Sequence, residues 1–156
     1  MKIERKIRKR YDRKEPPQDY LKYWRVIRYW VKAVYGLTTP DLEMLLFLHS
    51  EQIFSKDKFS EFEEIMSWDK NRFERLRQEG WIIVWKKREG KKKALYEISH
   101  KGKKLVRIVY KKLNGEEISE RNPLFLKGAS YMDKVYRNVI IEMNKTIKQQ
   151  RHLSQE

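Results

Sequence analysis

Apolar positions recur along the chain in blocks whose spacing changes from helical to strand-like and back. Tyr20, Trp24, Ile27, Val31 and Val34 fall at steps of four and three, which gathers them onto one helical face. Gly36 stops that helix. Thr39-Pro40-Asp41 then reads as N-cap, first-turn proline and dipole-matching carboxylate of a second helix. On it Leu42, Leu45, Leu46 and His49 keep helical spacing to about Ser50. Ser55 is placed to cap a third helix with the stripe Phe59, Phe62, Ile65 and Met66. With Asp69 as the next cap, Trp68 and Phe73 are spaced as a hydrophobic staple, and a fourth helix, KNRFERLRQE, closes at Gly80.

The period then changes. Residues 81–85 and 94–98 are β-branched and aromatic runs on either side of Glu89-Gly90, the pattern of a β-hairpin. Ser99 can cap a further helix through His100, Leu105, Ile108, Val109 and Leu113, with Gly102 weakening its start and Asn114-Gly115 ending it. Residues 116–128 read as a connector with a turn at Pro123. A last helix, from about Ala129 to Gln150, carries Met132, Val135, Tyr136, Val139, Ile140, Met143 and Ile147 on one stripe. That stripe serves either packing within the chain or a homodimer seam shared with the first helix.

Charge narrows the classes of partner. The chain has 156 residues, 37 basic and 22 acidic, and a formal net charge of +15, a balance that favours a polyanion. The first 14 residues hold eight basic and two acidic side chains ahead of Pro16-Pro17, either a solubilising tail or a nucleic-acid-binding arm. Its longest apolar runs, 44–48 and 81–85, are too short for a bilayer core of about 30 Å, so no membrane span is expected. Having no cysteine, the chain can form neither disulfides nor thiolate metal sites, as suits a cytoplasmic protein, or a virion-associated one if of phage origin. His49, His100 and His152 stand singly, without catalytic or ligand spacing, and the six glycines read as punctuation. Neither an enzyme nor a cofactor or metal site is expected.

Two short helices followed directly by a charged hairpin give the layout of a winged helix-turn-helix, mainly α with a small β-hairpin wing and additional N- and C-terminal helices. The expected parts are a basic arm over 1–17, a winged-helix domain over 18–113, a connector over 114–128, and a dimerisation or docking helix with its tail over 129–156. Within this layout LRQEGWI resembles the close of the recognition helix in the MarR (multiple antibiotic resistance regulator) family. ISHKGKKLV is similar to that family's exit from the wing. The resemblance covers about half of the chain. It implies a DNA-binding transcriptional regulator, dimeric through its first and last helices, with recognition helix and wing on double-stranded DNA. It allows a small-molecule effector, to which no residue points.

Carried onto this chain, the resemblance places Lys70, Asn71, Arg72 and Arg75 on the recognition helix and Lys86, Lys87, Arg88, Lys91, Lys92 and Lys93 on the wing. Arg and Asn can form paired hydrogen bonds with base edges, and lysines suit phosphates. Alternatively, the wing lysines guard an exposed hairpin against edge pairing. Residues 41–64 hold seven carboxylates and two lysines, and Glu74 sits among the proposed readers, so these acids must face away from phosphate. The rival reading is an interaction or structural module in a larger nucleoprotein assembly, such as a phage particle or transcription complex. Its support is the six aromatics of the first helix, Tyr20, Tyr23, Trp24, Tyr29, Trp30 and Tyr35, some of which are expected to meet a protein partner.

Overall fold

The computed structural model describes residues 19–66 and 69–154. The basic arm and the proposed Trp68 staple lie outside the described residues.

Helix α1 (Tyr20–Tyr35) is capped by Asp19, whose carboxylate accepts the Lys22 N–H, and ends at Gly36 with φ +71°. It buries Tyr23, Val26, Ile27, Trp30 and Val31, whereas Tyr20 and Val34 are exposed. The buried arc is rotated from the expected one because α1 packs against several helices rather than one surface. Five of its six aromatics are occupied within the chain. Tyr29 stacks on Tyr136 with centroids 3.8 Å apart, Tyr35 bridges Trp30 and Trp81 edge-on, Tyr23 is buried, and Trp24 packs on the core. Among the described residues, Tyr20 alone of the six has no such neighbour and is left for the partner that this helix was expected to meet.

Helix α2 (Thr39–Glu51) is capped one residue earlier than expected, by Thr38, whose hydroxyl accepts the Asp41 N–H. A two-residue strand β1 (Ile53–Phe54), too short to show a sequence period, follows and was not anticipated. Helix α3 (Lys56–Glu64) begins after Ser55, whose carbonyl, not its hydroxyl, receives the first N–H groups. Ile65 falls beyond the end of α3 and is exposed, so it drops out of the expected stripe.

Helix α4 (Arg72–Gln78) is capped by Asn71 rather than Asp69. The Asp69 carboxylate accepts the Asn71 N–H and its carbonyl the Arg72 N–H, which forms a turn ahead of the helix and shortens it. At the far end the Trp81 N–H reaches the Leu76 carbonyl and the Gly80 N–H the Arg77 carbonyl, with Gly80 at φ +80°. This nested pair is the left-handed closure that makes LRQEGW a stop signal.

Strands β2 (Ile82–Lys86) and β3 (Leu95–Ile98) form the wing, and β1 adds to β3, giving an antiparallel sheet in the order β1-β3-β2. Ile82 faces Ile98 and Val84 faces Tyr96; the register slips between Val84 and Lys86, and Glu89 pairs with Lys92 at the tip. Helix α5 (His100–Leu113) starts at the Ser99 cap. A Cβ at Gly102 would lie 2.3 Å from a methyl of Ile98 and 3.2 Å from the Trp81 carbonyl. Close packing of helix on sheet therefore explains a residue whose intrinsic helix propensity is poor.

The connector is not loose. Its Ile118 and Leu124 are buried, the latter in a 3-10 turn (Pro123–Phe125). The Asn144 side chain accepts the Ile118 N–H and donates to the Ile118 carbonyl, at 3.1 and 2.8 Å. Asn144 belongs to helix α6 (Tyr131–Leu153), which opens with a Ser130/Asp133 capping box. The Asp133 carboxylate also accepts the Tyr29 hydroxyl at 2.6 Å, which holds the Asp133 carboxyl below its ordinary range and raises the Tyr29 phenol. Ile118, Leu124, Ile140 and Met143 share one apolar cluster with α1, α2 and α5. The fold is a mainly helical winged helix-turn-helix with helices added before and after it. Among the described residues no helix is long and apolar enough to cross a membrane.

Candidate nucleic-acid interface

Helix α4 carries the arginines expected to face a groove, but their side chains turn to other parts of the chain. Arg72 is 3% exposed. Its Nε donates to Asp41 Oδ1 at 3.0 Å, and its Nη1 pairs with Glu63. Arg75 Nη2 donates to the same Asp41 oxygen at 2.8 Å, and its Nη1 donates to Asp69 Oδ2 at 2.9 Å. Glu63 Oε1 further accepts the Asp69 N–H at 3.0 Å. Three carboxylates from α2, α3 and the α3–α4 turn thus grip two guanidiniums of α4.

The physical role of this cluster follows from its burial. Asp41 and Arg72 are both almost fully enclosed, so removing either would leave the other buried with one partner fewer, Arg75 for Asp41 or Glu63 for Arg72, at a cost of about 2–3 kcal/mol. Bidentate arginine suits such a site because its planar fork can serve two carboxylates at once. Asp41 is therefore not simply a helix-dipole carboxylate, and Arg72 does not face outward, as the role that the resemblance implied for it would require. Arg75, about one third exposed, keeps an outer edge but has both terminal nitrogens engaged. Its hydrogen bond holds the Asp69 carboxyl below its usual range, helped by the Asn71 N–H.

Lys70 and Asn71 are exposed at the N-terminal end of α4. Lys70 also lines a cleft of about 310 Å³ between α3 and α4, together with Lys56, Glu63, Glu64, Asp69 and Phe73. Glu64 and Glu74 are exposed, so the acids of this surface do not all face away from solvent. Arg77, the remaining cation of α4, lies 3.6 Å from Glu74.

The wing differs. Lys86, Lys87, Arg88, Lys91, Lys92 and Lys93 are all exposed. Lys93 pairs with Asp57 at the start of α3, and Arg88 Nε donates to the Gly90 carbonyl at 3.4 Å. Among the described residues, Lys86, Lys87, Lys91 and Lys92 make no ion pair.

A second cationic surface follows directly, one that the sequence pattern had hidden behind the apolar face of α5. Between Glu97 and Glu116 there are six Lys or Arg and no acid. Lys104, Arg107 and Lys111 are exposed along α5, opposite buried Leu105, Val106 and Val109. Lys103 pairs with Glu97 at 3.4 Å, and Lys101 donates to the Glu79 carbonyl at the end of α4 while lying 4.0 Å above the Trp81 ring. Lys112 is the exception: buried over Trp30, it is lowered in pKa by desolvation and donates to the Glu117 carbonyl. The signal available in the sequence was the acid-free run itself.

No family model matches the chain, and no curated protein matches it. The solved structure of disulfide-formed AbfR aligns with a TM-score of 0.46 at 16% identity, over 86% of this chain and 83% of that one, a likeness too distant to carry an argument.

Proposed function

We propose that this protein binds double-stranded DNA as a transcriptional regulator of MarR-like type, with the wing as its principal phosphate contact. The observation that carries the reading is the wing itself: six exposed cations, five of them without an ion pair among the described residues, on a hairpin beside a two-helix unit. Such a concentration repels itself in the free protein, and on a duplex each phosphate that it neutralises releases cations condensed on the DNA. Lys104, Arg107 and Lys111 of α5 add a second exposed cationic stripe.

In this reading Lys70 and Asn71 are the parts of the expected reader set able to reach base edges. Arg72 and Arg75 instead act as positioning residues, because their donors hold α4 against α2 and α3. Recognition then rests more on charge and shape than on many base contacts. Homodimerisation fits the exposed apolar ends of α1 and α6, where Leu21, Met132 and Val135 line one cleft with Tyr20 and Tyr131 nearby in sequence. The test is a titration of labelled duplex at two salt concentrations, with wild type and a Lys91→Ala, Lys92→Ala, Lys93→Ala variant. Affinity should fall steeply with salt, and the variant should bind all sequences more weakly. Affinity for duplex that is absent, or indifferent to salt, would refute the reading.

A further inference from the structure

The wing sheet buries one face and leaves the other uncovered. Ile82, Ile98 and Phe54 are buried on the inner face, where Tyr96 meets Phe73 edge-on at 5.0 Å. Strand alternation turns Ile53 and Ile83 to the other face, each 41% exposed, with Glu97 of β3 opposite both. Trp85 is the extra residue where the β2–β3 register slips, and it is 52% exposed. Among the described residues no aromatic ring stacks on its indole and no cation lies over it. The carboxylate on this face, Glu97, is paired with Lys103.

Three consecutive exposed apolar residues, Ile83, Val84 and Trp85, on an edge strand are a liability that sequences avoid unless the surface is used. Charge decides between occupants. Lys86, Lys87 and Arg88, exposed next to Trp85, give this surface a positive charge that a second copy of the chain would share. A polyanion would be attracted by them. Inside a duplex, however, base faces are covered by stacking and only edges and backbone are on offer. A bare indole face gains a partner where a base is unpaired, and stacking there tolerates any sequence.

We propose that the exposed edge of the wing at Trp85 binds an unpaired stretch of a DNA strand, with one base stacked on Trp85 and adjoining phosphates on Lys86, Lys87 and Arg88. The proposal rests on the nucleic-acid reading above and adds the form of the substrate: duplex that opens into a single strand. The experiment compares a blunt labelled duplex with the same duplex bearing an unpaired oligothymidine arm, for wild type, Trp85→Ala and Trp85→Phe. Thermal melts verify that both variants fold. In wild type the arm should tighten binding by about tenfold; Trp85→Ala should lose that gain, Trp85→Phe should keep most of it, and affinity for blunt duplex should stay within roughly twofold throughout. No gain from the arm in wild type overturns the proposal, as does an equal loss on both DNAs in Trp85→Ala. So does DNA-free self-association, seen by sedimentation, that Trp85→Ala abolishes. Failure of the parent reading looks different: neither DNA would bind in a salt-dependent way.

Discussion

Helix α4 and the wing both read as strings of cations, yet folding puts the two sets to opposite uses. Around α4, Asp41 and Glu63 arrive from other helices and Asp69 from the preceding turn, so Arg72 and Arg75 become internal fasteners. Among the described residues the wing cations receive one acid from elsewhere, Asp57, and otherwise remain in water. The residue types agree with this division. Guanidiniums, which can fork between two carboxylates, occupy the enclosed site, and five of the six wing cations are lysines, mobile point charges suited to phosphate. Counting charges along a chain measures attraction to a polyanion only where the fold supplies no internal counter-ion.

The sharpest way to break this comparison is at its buried end. Arg72→Ala or Asp41→Ala should destabilise the protein by about 2–3 kcal/mol in denaturant unfolding, because each leaves a buried charge with a single ionic partner. Arg72→Lys should recover little of that, since one ammonium cannot reproduce the fork. A loss under about 1 kcal/mol would mean that Arg72 is not a fastener. Arg75→Ala should cost less, about 1 kcal/mol or somewhat more, as water can replace part of what a one-third exposed side chain provides.

Acid should separate the same two regions. The Asp69 carboxyl titrates lower in the folded protein than its ordinary 3.8, so the unfolded chain takes up protons first as pH falls. The stability it contributes is fully present above that ordinary value and is lost as pH falls through the folded one. Asp133, lowered by the Tyr29 hydroxyl, acts in the same sense. Melting temperature followed from neutral pH to about pH 3 should therefore fall less steeply in Asp69→Asn than in wild type, while the wing triple variant should follow wild type. The smallest effect belongs to the wing itself: replacing Lys91, Lys92 and Lys93 by Ala should move stability by no more than about 0.5 kcal/mol, since exposed charges contribute little to folding.

Much of the architecture was legible because local signals agreed. Gly36, Gly80, Ser99 and the hairpin runs mark their elements, and the closure at LRQEGW is a backbone pattern that six letters encode. What escaped depended on distant partners. Strand β1 exists only because β3 lies beside it, and two residues have no period of their own. Asp69 looked like a cap, and its carboxylate does accept a backbone N–H, but Arg75 shares it and the helix begins later. The candidate site was legible in composition more than in geometry. The wing cations could be named because the hairpin tip has few neighbours. The sequestration of Arg72 hangs on Asp41, 31 positions away, which no spacing rule connects to it. The cationic face of α5 was visible as an acid-free run, and was masked because the same helix also carries a clear apolar stripe.

The central claim, that free charge for DNA sits on the wing and bound charge sits in α4, is tested most directly by the slope of log affinity for duplex against log salt. Every phosphate deprived of its lysine should reduce that slope by about 0.9, so the Lys91, Lys92, Lys93 alanine variant should be flatter than wild type by up to nearly three units. Arg75→Gln, verified as folded, should leave it unchanged. The opposite outcome, an unchanged slope for the wing variant and a flattened one for Arg75→Gln, would contradict the account.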